Sequence, residues 1–192
     1  MIETENFASV EVKSREELRR WLTTNHAQQE SVWLVTYKKH RREWYVSVAD
    51  ILDEVLCFGW VDGIRRRLDD DRTMQMISPR KAQHWAKTYK ERAQKLIEQG
   101  RMHPAGLAVM EESKRRGLWD FMEEVDALVL PEDLVAALEG YGEARQNFEA
   151  AAPSYRRNVL RWIKLAKTSP TRAKRIREVA VAAFQNQKIP QM

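Results

Sequence analysis

The sequence predicts an α+β fold: a small, mainly antiparallel sheet of about three strands covered by helices, followed by an all-helical C-terminal subdomain. Two strand-like runs flank an acidic turn, a third such run lies upstream, and beyond Pro131 every signal is helical. The boundary is expected within Leu118–Leu130, a mixed acidic and apolar connection, giving domains over 1–125 and 126–192.

Ser14-x-x-Glu17 has the form of a capping box, and Leu18, Trp21 and Leu22 then share one helical face. Val32 to Lys39 reads as a strand because β-branched and aromatic residues dominate it before the basic loop Lys38-Lys39-His40-Arg41-Arg42. Ser47 and Asp50 cap a helix whose stripe Val48, Ile51, Leu52, Val55, Leu56 has the spacing of a buried face. Gly59 ends it, as a residue without Cβ can take the left-handed conformation. Val61 to Leu68 and Thr73 to Ser78 then flank Asp69-Asp70-Asp71-Arg72, a hairpin turn.

Ser78 before Pro79 reads as an N-cap with proline at the first helical position. A long helix is therefore expected from there to Gly100, with Ala82, Trp85, Ala86, Tyr89, Ala93, Leu96 and Ile97 inward and Arg80 in its first turn. Pro104 opens a shorter helix that Gly117 closes. Further helices are expected around Leu134 and Leu138, stopped at Gly140, then Ala144 and Phe148, then Tyr155, Val159, Trp162, Ile163 and Ala166. Ser169-Pro170 caps the last, with Ala173, Ile176, Ala180, Ala183 and Phe184 inward.

Seven Trp and 43% hydrophobic residues argue for a folded core despite 32% charge. No apolar run approaches the roughly 20 residues of a membrane span. The acidic start, Glu3 and Glu5, lacks the order of a signal peptide, so a cytoplasmic protein is expected. Cys57, the one cysteine, lies among apolar neighbours and reads as buried structure. His26, His40, His84 and His103 show no metal spacing with one another or with Cys57, so no metal site and no cofactor is assigned. A Gly-rich phosphate loop and a Gly-x-Ser-x-Gly elbow are both missing, and no catalytic motif is recognisable. From Ser154 to Lys188 ten Lys and Arg face Glu178 alone. The basic balance of +5 is thus a property of the C-terminal helices, and suits a polyanion or an acidic partner.

Several short motifs carry a family likeness. Trp21-Leu22 with Asn25-His26, Trp33-Leu34 with Tyr37-Lys38-Lys39, Leu56-Cys57-Phe58-Gly59-Trp60 with Asp62-Gly63, Pro79-Arg80, Gly100-Arg101-Met102 and Gly117-x-Trp119 form an N-terminal block. Pro131-x-Asp133-Leu134, Phe148, Tyr155-Arg156-Arg157, Trp162, Ala166-Lys167 and Thr171-Arg172-x-x-Arg175-Ile176 form a C-terminal one. In this order they resemble the YdeI/OmpD-associated, or bacteriocin-protection, family of bacterial proteins over nearly the whole length. The resemblance implies an α+β part with a small helical end, and its name points to protection against bacteriocins or antimicrobial peptides and to a porin association. Where the family has Ser-x-Trp-Ser-x-x-Asn, this chain reads Gln83-His84-Trp85-Ala86-Lys87-Thr88-Tyr89, which keeps the Trp and lacks the hydroxyls and amide.

The candidate ligand site gathers Trp60, Asp62, Arg65, Arg80, Trp85 and Arg101. Asp62 at a helix-to-strand switch offers a carboxylate for proton transfer or for a basic ligand group, or else caps its own turn. Arg80 is expected to complete an anion site at a helix start, or to pair with Asp69, Asp70 or Asp71. Arg65, Arg66 and Arg67 extend an anion surface or solvate a strand edge. Trp60 and Trp85 wall a pocket or pack in the core. Arg101 with His103 forms a supporting loop or a polar cap. Arg156, Arg157, Arg161, Lys167, Arg172 and Arg175 form a basic surface. These residues support three readings in order: a non-enzymatic stress-protection protein acting through an anionic ligand or acidic partner, a binding protein or enzyme for an anionic small molecule, and a nucleic-acid binder.

Overall fold

The computed structural model describes residues 7–81 and 83–189; Glu3, Glu5 and Ala82 of the sequence reading lie outside them. These residues form two compact units, one ending at Asp120 and the other beginning at Phe121.

The first unit runs β1 (Ser9–Glu11), α1 (Arg15–Asn25), β2 (Val32–Tyr37), α2 (Val48–Cys57), β3 (Trp60–Arg67), β4 (Arg72–Pro79), α3 (Lys87–Glu98) and α4 (Pro104–Arg115). The sheet has four strands in the order β1-β2-β4-β3. β2 and β3 both pair antiparallel with β4, while β1 lies parallel to β2, with Val10 opposite Leu34. Three strands were legible; β1 was not, because a three-residue edge strand carries no alternation and is held by its partner. A bulge between Asp62 and Arg65 interrupts the β3 ladder.

The caps follow the sequence. Ser14 Oγ accepts from the Glu17 N–H at 3.1 Å, and the Glu17 carboxylate reaches back to the Lys13 N–H at 2.8 Å, one residue earlier than a standard capping box. Ser47 Oγ accepts from the Asp50 N–H at 3.1 Å. Gly59 takes φ +76°, and a Cβ there would press on Val109 of α4.

One expected helix start is corrected. Ser78 and Pro79 remain in β4, where Pro79 faces Trp60, and the Arg80 N–H extends the pairing by donating to Gly59 O at 2.9 Å. The helix begins only at Lys87, so Trp85 and Ala86 precede it, with Trp85 buried and Ala86 exposed. The β region demanded of a residue before proline suits a strand as well as a cap, and pairing with Trp60 and Val61 of β3 decides it. Val48 and Ile97, expected inward, are exposed, whereas Glu54 of α2 is fully buried. The core gathers Leu18, Leu34, Ile51, Leu56, Trp60, Ile77, Trp85 and Leu96 between sheet and helices.

The second unit is helical: α5 (Glu123–Asp126), α6 (Glu132–Glu139), α7 (Ala144–Ala150), α8 (Pro153–Lys164) and α9 (Ser169–Phe184). Leu134, Leu138, Phe148, Val159, Ile163 and Val179 form its core. Thr168, not Ser169, caps α9 by accepting from the Thr171 N–H at 3.3 Å. Ala173 and Phe184 turn outward, and Val179 takes the inward place. No helix among the described residues is long and apolar enough to cross a membrane.

Candidate functional site

The end of β4 delivers Arg80 into an unusual setting. Its guanidinium lies 3.9 Å from the centre of the Trp85 ring and 5.8 Å from that of Tyr89 on α3. Nη2 donates to His84 O at 3.2 Å, while Nε is buried with no partner. Asp69, Asp70 and Asp71, the acids expected to pair with it, are held by Arg72, by Arg67, and by His40 and Arg41. No carboxylate among the described residues reaches Arg80. Burial, with only an aromatic pair beside it, pulls the guanidinium down to about 10.

Asp62 sits on β3 nearby but is occupied. Its Oδ1 accepts from the Tyr89 hydroxyl and its Oδ2 from Gln75 Nε2 at 3.2 Å. Burial, and then the bond to Asp62, pushes the Tyr89 hydroxyl up to about 12. Tyr89 thus stands between the acid and the arginine, its hydroxyl on one and its ring beside the other.

A cavity of about 300 Å³ opens at Arg80, lined also by Lys81, Ala108, Val109, Glu112, Ser113, Arg116 and Leu118. Glu112 is engaged by Arg115, so the lining is dominated by the cations Arg80, Lys81 and Arg116. Ser113 is buried and donates to Val109 O at 2.8 Å, leaving hydroxyl lone pairs.

Of the remaining expected site residues, Trp85 joins Arg80 and the others lie elsewhere. Trp60 is buried in the core, with Nε1 donating to His26 O at 3.0 Å and the Trp21 ring meeting it edge-on at 5.7 Å. Trp85 is buried too; it packs on Trp119 and presents one face to Arg80. Arg65 lies beyond the bulge on the exposed part of β3. Arg101 belongs to an ion-pair network around α2, bonding Asp53 at 3.0 Å and Glu54 at 3.1 Å. Arg15 and Arg19 of α1 complete that network on Glu54 at 2.6 and 2.8 Å. Tyr89, Ser113, Lys81 and Arg116 went unselected from sequence; a polar tip on a stripe otherwise apolar is the one signal that marked Tyr89.

Two family models match. Residues 10–109, just over half of the chain, match a domain of unknown function, DUF8412, and residues 127–186 match the family described as bacteriocin-protection, YdeI or OmpD-associated. The chain belongs to the DUF8412 family and carries a YdeI/OmpD-associated domain over residues 127–186. The likeness expected over nearly the whole length is therefore carried by the C-terminal block, and the N-terminal block has a family model of its own. Neither a curated protein nor a solved structure matches the chain.

Within the YdeI/OmpD-associated domain the basic residues divide. Arg172 forms a two-pronged pair with Asp133 at 2.6 and 2.8 Å, holding that carboxyl below its ordinary range. Arg175 donates to Trp162 O, and Arg157 lies 3.8 Å from Asp126. Arg156 is half-buried, and Arg161 and Lys167 are exposed without a carboxylate partner among the described residues. Tyr155 and Trp162 pack against the core and give nucleobases no free stacking platform.

Among the described residues no group of three or more His, Cys, Asp and Glu side chains is placed to hold a metal. Cys57 is buried, and desolvation reinforced by the charge of Glu54 pushes its thiol from 9.0 up to about 11. Its folded value lies above the unfolded one, so its contribution to stability is whole below about pH 9 and is lost as pH climbs through 11. An aromatic disulfide reagent near pH 8 is expected to leave the native thiol unmodified and to titrate it fully in urea. Rapid native reaction would contradict that burial.

Proposed function

We propose that this protein is a non-enzymatic binding protein of the stress- or bacteriocin-protection kind, acting through an anionic ligand held at Arg80. The observation that carries the reading is a guanidinium lodged on an indole, open to a cavity, and without a carboxylate. A half-buried cation with no carboxylate beside it is costly, and an incoming anion relieves that cost. The protective role is drawn from the description of the C-terminal family. Binding is preferred to catalysis because Asp62 is tied to Tyr89 and Gln75, and the lining carboxylate Glu112 is tied to Arg115. An acidic protein partner on Arg161 and Lys167 is a second reading, supported by the exposure of those two cations.

Isothermal titration with inorganic phosphate, sulfate, acetate and choline tests the first. At least one anion is expected to bind with one site per chain and choline not at all, with Arg80→Ala weakening the anion about tenfold or more, the value of one buried charge-assisted contact. Binding of no anion, or equal binding by a folded Arg80→Ala protein, would reject it.

A further inference from the structure

We infer that the Arg80 cavity is built for a phosphate monoester carrying a small apolar group, in preference to any singly charged anion; this rests on the binding reading above and names its ligand class. Three observations lead there. Arg80, Lys81 and Arg116 line the same cavity against a single acid, Glu112, which pairs with Arg115. A carboxylate or a sulfate ester would answer Arg80 and leave the cavity's other two cations without a counter-charge of their own. A phosphate dianion brings a second charge and three equivalent acceptor oxygens to the same place.

Ala108 and Val109 of α4 and Leu118 also line the cavity, so hydrocarbon shares its surface with the cations. A volume of about 300 Å³ holds a phosphoryl group and a compact carbon skeleton, and is at the small end of ligand sites. Ser113, a buried lining residue, adds a hydroxyl that accepts from the ligand or from a bridging water while it donates to Val109 O. A bulky polar group would gain nothing from Ala108, Val109 and Leu118.

The charge of the ligand gives the test. A phosphate monoester loses its second proton at about pH 6, whereas a sulfate ester remains a monoanion throughout. The titratable groups about Arg80 are Tyr89 on α3, Lys81 and His84 on the connecting segment, and Glu112 and Arg116 at the end of α4.

Phenyl phosphate, phenyl sulfate and benzoate should be titrated into the full chain at about pH 5 and pH 7.5. Phenyl phosphate is expected to bind about tenfold tighter at the higher pH and to exceed the other two there by a similar factor, while phenyl sulfate changes little. Arg116→Ala, on the exposed rim, should remove most of the preference for phosphate and spare sulfate binding; Arg80→Lys should weaken all three. Equal affinities for phenyl phosphate and phenyl sulfate at pH 7.5 would overturn the dianion preference and leave the anion-binding reading standing. Failure of all three to bind the folded protein would overturn both.

Discussion

Replacing Gly106 with alanine is expected to destabilise the first unit by about 3 kcal/mol, or to prevent its folding, although alanine is the better helix former by about 1 kcal/mol. Gly106 lies inside α4 and is buried against the end of α2. A Cβ there would stand 2.2 Å from Cys57 O, 2.8 Å from Cys57 C and 2.9 Å from Met102 Cε. Two of those atoms belong to backbone and cannot swing away. The helix must back off, which also stretches the 3.1 Å bond from the His103 N–H to Cys57 O that starts it. Gly140, where φ is −71° and an added Cβ meets nothing closer than 3.4 Å, supplies the control: Gly140→Ala should change the urea midpoint little. A Gly106→Ala midpoint within experimental error of the unsubstituted chain would mean that α4 does not approach α2 as closely as described.

Glu54→Gln is the second large effect, with an expected loss of about 3 kcal/mol. The Glu54 side chain has 0% exposure and accepts from three guanidinium groups, Arg15, Arg19 and Arg101. An amide keeps the shape, loses the charge, and turns an NH₂ toward cations. The arginines are 32%, 39% and 23% exposed, so water can recover part of their solvation, which holds the cost to the lower part of the usual range for breaking a buried pair. Because Arg19 Nη2 also bonds Arg101 O at 2.9 Å, the substitution should loosen the turn after α3 as well as α2. A loss below about 1 kcal/mol in urea titration would show that the network is solvated in effect and contributes as an exposed pair does.

Much of the fold was local in origin and so legible. The hairpin turn at Asp69–Arg72, the left-handed ends at Gly59, Gly100 and Gly117, and the α6 and α8 stripes each depend on residues within a few positions of one another. What escaped depends on distant partners. β1 exists because β2 offers an edge, Ser78-Pro79 stays extended because β3 pairs with it, and Glu54 can occupy a core position because α1 and the loop after α3 bring arginines to it. Arg80 was singled out on the expectation of a helix start, yet its setting is a strand end on an indole and not the first turn of a helix. Lys81, Ser113 and Arg116 could not be joined to it from spacing, since a connecting segment and α4 bring them together only in the folded unit.

The Arg80 Nε–H is the most direct reporter of the site, because it is buried and has no protein acceptor. In a heteronuclear NMR titration with phenyl phosphate, its side-chain correlation is expected to move strongly and saturably, following the same curve as the backbone amides of Ser113 and Arg116. A saturating titration that shifts other arginine side chains and leaves Arg80 Nε–H in place would contradict an anion site built on that guanidinium.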